Sequence, residues 1–348
     1  MGNSNPNPAG NRGRLSLLAC DSGRAFANLV REHLSRVLSA ETRQPTNGLL
    51  RESEEIKFAN GEIKTVIGDN IRGDDVYVIQ CMDDPFAERS VNDNLMALVT
   101  ALHAARQSDA ERITAVIPQF PYARQERKKT REGITASVVC RLLEDAGADR
   151  VITLDIHAEA IMGFFRFCTM ENLHASTVIL DYFRDNFPVD NLVVVSPDVG
   201  GADRARHYTN RLGCPLAIVH KARDYSKISV IESMRLVGDV RGKDVLMPDD
   251  MIATGGTLLR AASLLKEEGA NRVYLACSLP FFNGGAVELF DQGRENGTFD
   301  ALIGTDAVTR GPEFSADHAW YHEVSVAPLF AKVIFNINRK RSVSALLK

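Results

Sequence analysis

The chain of 348 residues has no long apolar run, no paired cysteines and no marked excess of either charge. No stretch approaches the ~20 apolar residues that a membrane-crossing helix needs. The six cysteines (Cys20, Cys81, Cys140, Cys168, Cys214, Cys277) are scattered without a CxxC pair. They read as reduced core thiols of a cytoplasmic protein rather than a disulfide framework or zinc site. The net charge of -4, from 45 acids against 41 bases, offers no general attraction to nucleic acid or to an anionic membrane. There is no GxxxxGK[ST] loop, no GxGxxG and no GxSxG. A P-loop kinase or a Rossmann dehydrogenase therefore lacks support. The opening "MGNSNPNPAGNRGR" is polar and carries no apolar segment of a signal peptide, and Pro6 stands where a myristoylation signal wants Ser or Thr. Residues 1–14 are expected to be a disordered tail.

What is present is a soluble globular pattern, 45% hydrophobic and 25% charged, long enough for two domains. "VREHLSRVL", "NLMALVTALHAAR" and "TLLRAASLLKEEGA" carry apolar residues at helical spacing. "DVYVIQC", "RITAVIPQF", "RVITLDIH", "LVVVSPD", "LAIVHK", "KDVLM" and "RVYLACSL" are short, nearly continuous apolar runs, as in strands buried on both faces. The alternation predicts an α/β fold of βαβ units around parallel sheets. The order helix, Ala-x-Arg, apolar strand, then Pro with aromatics occurs twice. That faint repeat favours two similar α/β domains dividing near Met170–Ser176, with expected bounds 15–172 and 173–348.

One stretch concentrates chemistry: "DVLMPDDMIATGGTLL", Asp244–Leu259. An apolar strand ends in two adjacent acids, Asp249 and Asp250, and then meets Thr254-Gly255-Gly256-Thr257. Ligands of open parallel sheets gather beyond the carboxyl ends of strands. Carboxylates there can accept hydrogen bonds from sugar hydroxyls or face a metal. Glycines permit close backbone approach, and a helix starting near Thr257 offers unpaired N–H groups to a phosphate. The combination suits a ribose phosphate. An acidic turn followed by a capping Thr is the plainer alternative. Elsewhere "PYARQERKK" gathers Arg124, Arg127, Lys128 and Lys129 after a strand, and His157 follows the strand "VITLD". Lys221 and Arg223 open a polar segment running to Met234. Each also fits a solvated or structural role. His318 and His322 have i,i+4 spacing, but in a β-like run, where they would not converge on a metal.

The quoted stretch resembles the phosphoribosyl-pyrophosphate (PRPP) fingerprint of type I phosphoribosyltransferases and of the PRPP synthetase family. "KFANGE", "IRGDDVYVIQ", "NDNLMAL", "FPYARQERK", "GADRVITLDIHA", "GFF", "VVVSPDVGGADRA", "IVHKAR" and "RLVGDVRGKDV" are similar to the PRPP synthetase family in content and order. The resemblance runs from Leu17 to Leu346. It implies two phosphoribosyltransferase-like domains, the last helix packing back on the first, and synthesis of PRPP and AMP from ATP and ribose 5-phosphate with Mg2+. It implies that Arg124 and Gln125 hold ATP, while Phe58, Asn60 and Glu62 line the adenine pocket of a neighbouring subunit in a homo-oligomer, typically a hexamer built from dimers. By the same resemblance, His157 and Asp198 contact the ATP-bound metal, and Lys221 and Arg223 belong to a mobile catalytic loop. Asp249 and Asp250 would take the ribose hydroxyls, and Thr254, Gly255, Gly256 and Thr257 the 5-phosphate.

The chain departs from the family pattern at Ala253 and Lys129, where an acid is frequent, and at Leu279, where His is usual. Asn70 and Glu159 replace hydroxyl residues near the regulatory segment matched by Ser342 and Ser344, with Arg72 a potential partner. Two alternatives follow: a non-catalytic regulatory subunit of the same family, or a phosphoribosyltransferase that consumes PRPP. The blocks "FANGE" and "PYARQ" argue against the second.

Overall fold

A computed structural model of the protein describes residues 12–42, 48–85, 89–224, 231–344 and 346. The chain forms two compact units. Unit 1 comprises residues 1–174, 307–309 and 326–348, and unit 2 comprises residues 175–306 and 310–325.

Unit 1 runs β1 (Leu15–Ala19), α1 (Arg24–Thr42), β2 (Ser53–Lys57), β3 (Ile63–Ile67), β4 (Asp75–Ile79), α2 (Val91–Gln107), β5 (Arg112–Val116), α3 (Thr135–Asp145), β6 (Arg150–Leu154) and β7 (Thr169–Leu173). Among the described residues β1, β4, β5, β6 and β7 form one parallel sheet in the order β1-β4-β5-β6-β7. Every residue of β1 and of β4 is buried, as expected of strands covered on both faces. β2 and β3 make a separate antiparallel hairpin. It is tied to α2 by the Thr65 and Thr100 hydroxyls, 3.0 Å apart. Ser90 starts α2 with a capping box: its hydroxyl accepts from the Asp93 N–H, and the Asp93 carboxylate accepts from the Ser90 N–H.

Unit 2 runs α4 (Ser176–Asn186), β8 (Leu192–Ser196), α5 (Ala202–Leu212), β9 (Leu216–Asp224), β10 (Ile231–Val237), β11 (Asp244–Ile252), α6 (Gly256–Glu267), β12 (Val273–Pro280), α7 (Ala286–Glu295), β13 (Ala301–Thr305), α8 (Pro312–Asp317) and β14 (Tyr321–Val324). Its sheet has the order β10-β9-β8-β11-β12-β13-β14, parallel except for β10 against β9. The chain enters this sheet in its interior at β8, winds outward to β10, and returns on the other side of β8 as β11. The strand order therefore reverses between β8 and β11. A parallel sheet opens a crevice at such a point, because the helices following the two strands leave on opposite faces.

The fold is the α/β one expected, two units each with a parallel sheet flanked by helices. Sequence periodicity did not disclose β1–β3, β7, β10, β13 or β14, nor that the chain returns to unit 1 at its end. That return is α9 (Ala327–Asn338). It is buried along most of its length, and Phe330 meets Phe26 of α1 edge-on with ring centroids 5.3 Å apart. Of the expected tail, residues 1–11 lie outside the described residues, but 12–14 are not free. Arg14 grips the Asp74 carboxylate with Nε and a terminal nitrogen at 3.0 and 2.8 Å and donates to the Asn70 carbonyl at 2.7 Å. Among the described residues no helix is long and apolar enough to cross a membrane. Phe330→Ala should destabilise unit 1 by about 3–5 kcal/mol, the usual cost of emptying a buried aromatic site. Urea unfolding monitored by amide exchange in α1 checks this; a change under about 1 kcal/mol would show that α9 is not integral to the unit.

Candidate active site

The crevice of unit 2 collects what the sequence suggested. β11 extends through Ile252, so Asp249 and Asp250 lie in its last turn of pleat rather than beyond it. Its ladder with β12 passes from Asp249–Cys277 to Met251–Leu279 and leaves Asp250 out. Strictly alternating strand residues would face opposite ways. Here both acids reach one cation: a terminal nitrogen of Arg204, on α5, lies 3.5 Å from Asp249 Oδ1 and 3.5 Å from Asp250 Oδ1. The Asp250 N–H also donates to Asp249 Oδ1 at 2.9 Å. Burial and the neighbouring Asp250 carboxylate push Asp249 up to about 7, against the pull of Arg204.

Beyond the acids, the Ala253 carbonyl accepts from the Asn283 N–H at 2.8 Å, which fixes the chain as it leaves the sheet. Gly255 sits at φ +73°, and a Cβ there would lie 2.3 Å from the buried Phe290 ring. Only glycine fits. Gly256 opens α6, and no atom lies within 4 Å of where its Cβ would be. Its N-cap, Gly255, has no side chain to cap it, and the first-turn N–H groups of a helix are donors that suit an anion. On the other bank of the crevice, after β8, the Gly201 N–H donates to Asp198 Oδ1 at 2.9 Å, and the Ser196 hydroxyl donates to the Asp198 carbonyl at 2.6 Å. Asp198 is half-buried.

Unit 1 carries the remaining expected residues, save those of β9. Arg124 and Gln125 follow β5 and are exposed, and His157, also exposed, follows β6 at the same carboxyl edge. The turn before His157 is fixed by His174, whose Nδ1 is 2.9 Å from Asp155 Oδ1, and by the Ile156 N–H donating to Asn172 Oδ1 at 2.9 Å. Phe58, Asn60 and Glu62 form the exposed tip of the β2–β3 hairpin. There the Phe58 N–H donates to the Glu62 carbonyl at 2.8 Å, and the Glu62 N–H to Asn60 Oδ1 at 3.1 Å.

One expectation is corrected. Lys221 and Arg223 do not open a loop: both lie in β9, opposite Met234 and Glu232 of β10, because antiparallel pairing satisfies their backbone groups. Residues 225–230 of the expected loop lie outside the described residues. His318 and His322 do not converge: His318 Nδ1 is 2.9 Å from Asp291 Oδ1, and His322 Nδ1 is 3.0 Å from the Tyr182 hydroxyl. Sequence reasoning assigned no role to Arg204. The available signal was a basic residue in the first turn of the helix after a strand-end acid.

For a divalent metal, Asp198 supplies an oxygen donor already oriented by a backbone N–H. The His157 ring nitrogen is a softer donor than magnesium prefers. Among the described residues no group of three or more His, Cys, Asp and Glu could hold a metal. A single oriented carboxylate such as Asp198 suits a hard divalent cation that keeps most of its own waters and so needs no such cage.

Residues 172–293 match the phosphoribosyl transferase domain, which places the crevice-bearing unit in that class of α/β domain. Residues 15–147 match the N-terminal domain of ribose phosphate pyrophosphokinase. The ribose-phosphate pyrophosphokinase of Chlorobaculum tepidum is 41% identical over 290 residues, covering 83% of this chain and 85% of that one. The enzyme of the same name from Wolinella succinogenes is 42% identical over 291 residues, covering 83% and 89%. The crystal structure of phosphoribosylpyrophosphate synthetase from Mycobacterium smegmatis superposes with a TM-score of 0.80 at 32% identity, covering 93% of this chain and 98% of that one. The chain belongs to the ribose-phosphate pyrophosphokinase family and is a transferase of that type.

Gly255→Ala should cost unit 2 about 1–3 kcal/mol, from the left-handed backbone and the clash with Phe290, whereas Gly256→Ala should cost little. Urea unfolding of the two variants separates them; equal stabilities would contradict the packing described.

Proposed function

We propose that the chain makes PRPP: the C1 hydroxyl of ribose 5-phosphate attacks the β-phosphorus of ATP, the bond to the α-phosphate oxygen breaks, and AMP leaves. The attacking hydroxyl proton passes to solvent or to a nearby base. The observation that carries this reading is the crevice of unit 2, where two carboxylates stand beside the uncapped start of α6. Asp249 and Asp250 accept from the sugar hydroxyls. The N–H groups and hydroxyls of Thr254, Gly255, Gly256 and Thr257 take the 5-phosphate, and the open space at Gly256 lets it approach the backbone.

For the nucleotide, Arg124, Gln125 and His157 are assigned to ATP. Phe58, Asn60 and Glu62 are assigned to the adenine pocket of a neighbouring copy in a homo-oligomer. Lys221 and Arg223 are assigned to charge that develops on the transferring group, a role that depends on positioning and electrostatics more than on covalent chemistry. Asp198 and His157 are the residues that would hold magnesium, which when bound neutralises charge on the polyphosphate. The resemblance makes a homo-oligomer, a hexamer or another dimer-based assembly, the expected state, and the scattered cysteines make the cytoplasm the expected compartment. Neither a nucleic-acid nor a membrane partner is assigned.

The direct test is AMP formation by purified protein with ATP and magnesium, with and without ribose 5-phosphate. Formation that depends on the sugar phosphate is expected; none would sink the reading. Lys221→Ala and Arg223→Ala should each lower kcat about a hundredfold or more while moving substrate KM far less. Changes below about tenfold in both would remove them from the chemistry. If the hairpin tip serves a neighbour, an Asn60→Ala protein and a Lys221→Ala protein, each inactive alone, should regain activity when mixed. A fully active monomer in sedimentation would exclude a shared site.

A further inference from the structure

Two acids at one crevice repel each other, and the fold must offset that repulsion if both are to act as acceptors. Arg204 is placed to do so. It projects from the first turn of α5, on the far side of the strand-order reversal. One of its terminal nitrogens is equidistant, at 3.5 Å, from one oxygen of each acid. The three side chains are largely withdrawn from solvent, 23% exposed for Arg204, 27% for Asp249 and 6% for Asp250, so screening is limited. At 3.5 Å the contact is long for a hydrogen bond, so the cation acts on the pair by charge without occupying the oxygens as a tight fork would. A guanidinium also cannot shed its proton, so this charge is fixed.

We propose that Arg204 is a positioning residue for substrate: it holds Asp249 and Asp250 as two matched acceptors for the adjacent hydroxyls of a ribose phosphate. The proposal rests on the reading of the crevice as the sugar-phosphate site. Each hydroxyl brings one donor, and a proton on either acid would turn an acceptor into a competing donor. Among the described residues, the groups near the pair include Arg204 from α5 and the buried Cys277 thiol of β12, whose sulfur lies 3.9 Å from the Asp250 carbonyl. Burial chiefly, with the two acids adding to it, raises the thiol well above its ordinary range, so it stays neutral. Arg204 is thus the cation opposing the rise of Asp249 to about 7. The sign follows: substrate binds the ionised pair, so the ribose 5-phosphate KM should climb as pH falls through about 7. Without Arg204 the climb should begin at higher pH.

The experiment compares wild-type protein with Arg204→Gln and Arg204→Lys across about pH 6–9, measuring KM for ribose 5-phosphate and for ATP in the AMP-forming assay. Carbon-detected NMR of the aspartate carboxylates runs alongside. In Arg204→Gln the ribose 5-phosphate KM should rise about tenfold or more near pH 7, with the difference shrinking toward pH 9 and the ATP KM nearly unchanged. Asp249 should titrate at least about one unit higher. Arg204→Lys should restore the wild-type pH profile, since it keeps the charge. An Arg204→Gln protein with wild-type pH dependence and an unmoved Asp249 titration would overturn the proposal. So would a KM rise that is uniform across pH and equal for both substrates, the mark of a purely structural role. Wild-type protein that binds no ribose 5-phosphate would overturn the functional reading, and this proposal with it.

Discussion

The constraint on which the unit 2 site depends is the reversal of strand order between β8 and β11. Because the chain enters the sheet at β8 and returns on its other side as β11, two strand ends with their following helices open onto one crevice. β8 delivers Asp198 and, through α5, Arg204; β11 delivers Asp249 and Asp250 and, through the turn at Gly255, the bare start of α6. No single motif builds this site. The topology brings an acid pair, a cation and the glycine-rich start of α6 to one place, and unlike charges then settle their arrangement.

Local chemistry supplies the remainder. Asp249 and Asp250 share Arg204, a terminal nitrogen of which lies 3.5 Å from one oxygen of each. The turn after them keeps its shape because Phe290 fills the space where a Gly255 side chain would be. The price of the site is a pair of acids pressed together in partial burial, which raises Asp249 toward neutrality. In unit 1 the same logic operates with fewer charges: parallel strands end in exposed loops bearing Arg124, Gln125 and His157, and a hairpin outside the sheet presents Phe58, Asn60 and Glu62.

Much of this was legible in the sequence. β4, β5, β6, β8, β9, β11 and β12 announce themselves as apolar runs because strands covered on both faces need no polar alternation. The hairpin strands β2 and β3 do not, since "SEEIK" and "IKTVI" are half exposed and mix charge with apolar residues. β7, "TMENL", hides for the same reason. The TGGT turn was readable because its glycines have a backbone cause. Arg204 was not, because its partners lie 45 and 46 residues away and only the reversed strand order brings α5 to the end of β11. The continuation of β9 past Lys221 to Arg223 was not readable, because the polar residues after the apolar run "LAIVHK" carry no signal of the pairing that β10 supplies.

Ala253 illustrates the limit of motif reasoning. Its side chain offers nothing to a sugar, yet its carbonyl is bonded to Asn283 and the acids before it and the turn after it are complete. The proposed function requires this crevice to bind ribose 5-phosphate without an acid at position 253. Amide NMR of the deuterated protein titrated with ribose 5-phosphate tests it most directly. The largest shifts should fall on the N–H groups of Gly255, Gly256 and Thr257 and on Asp249 and Asp250. Saturating sugar phosphate that leaves those signals in place would contradict it.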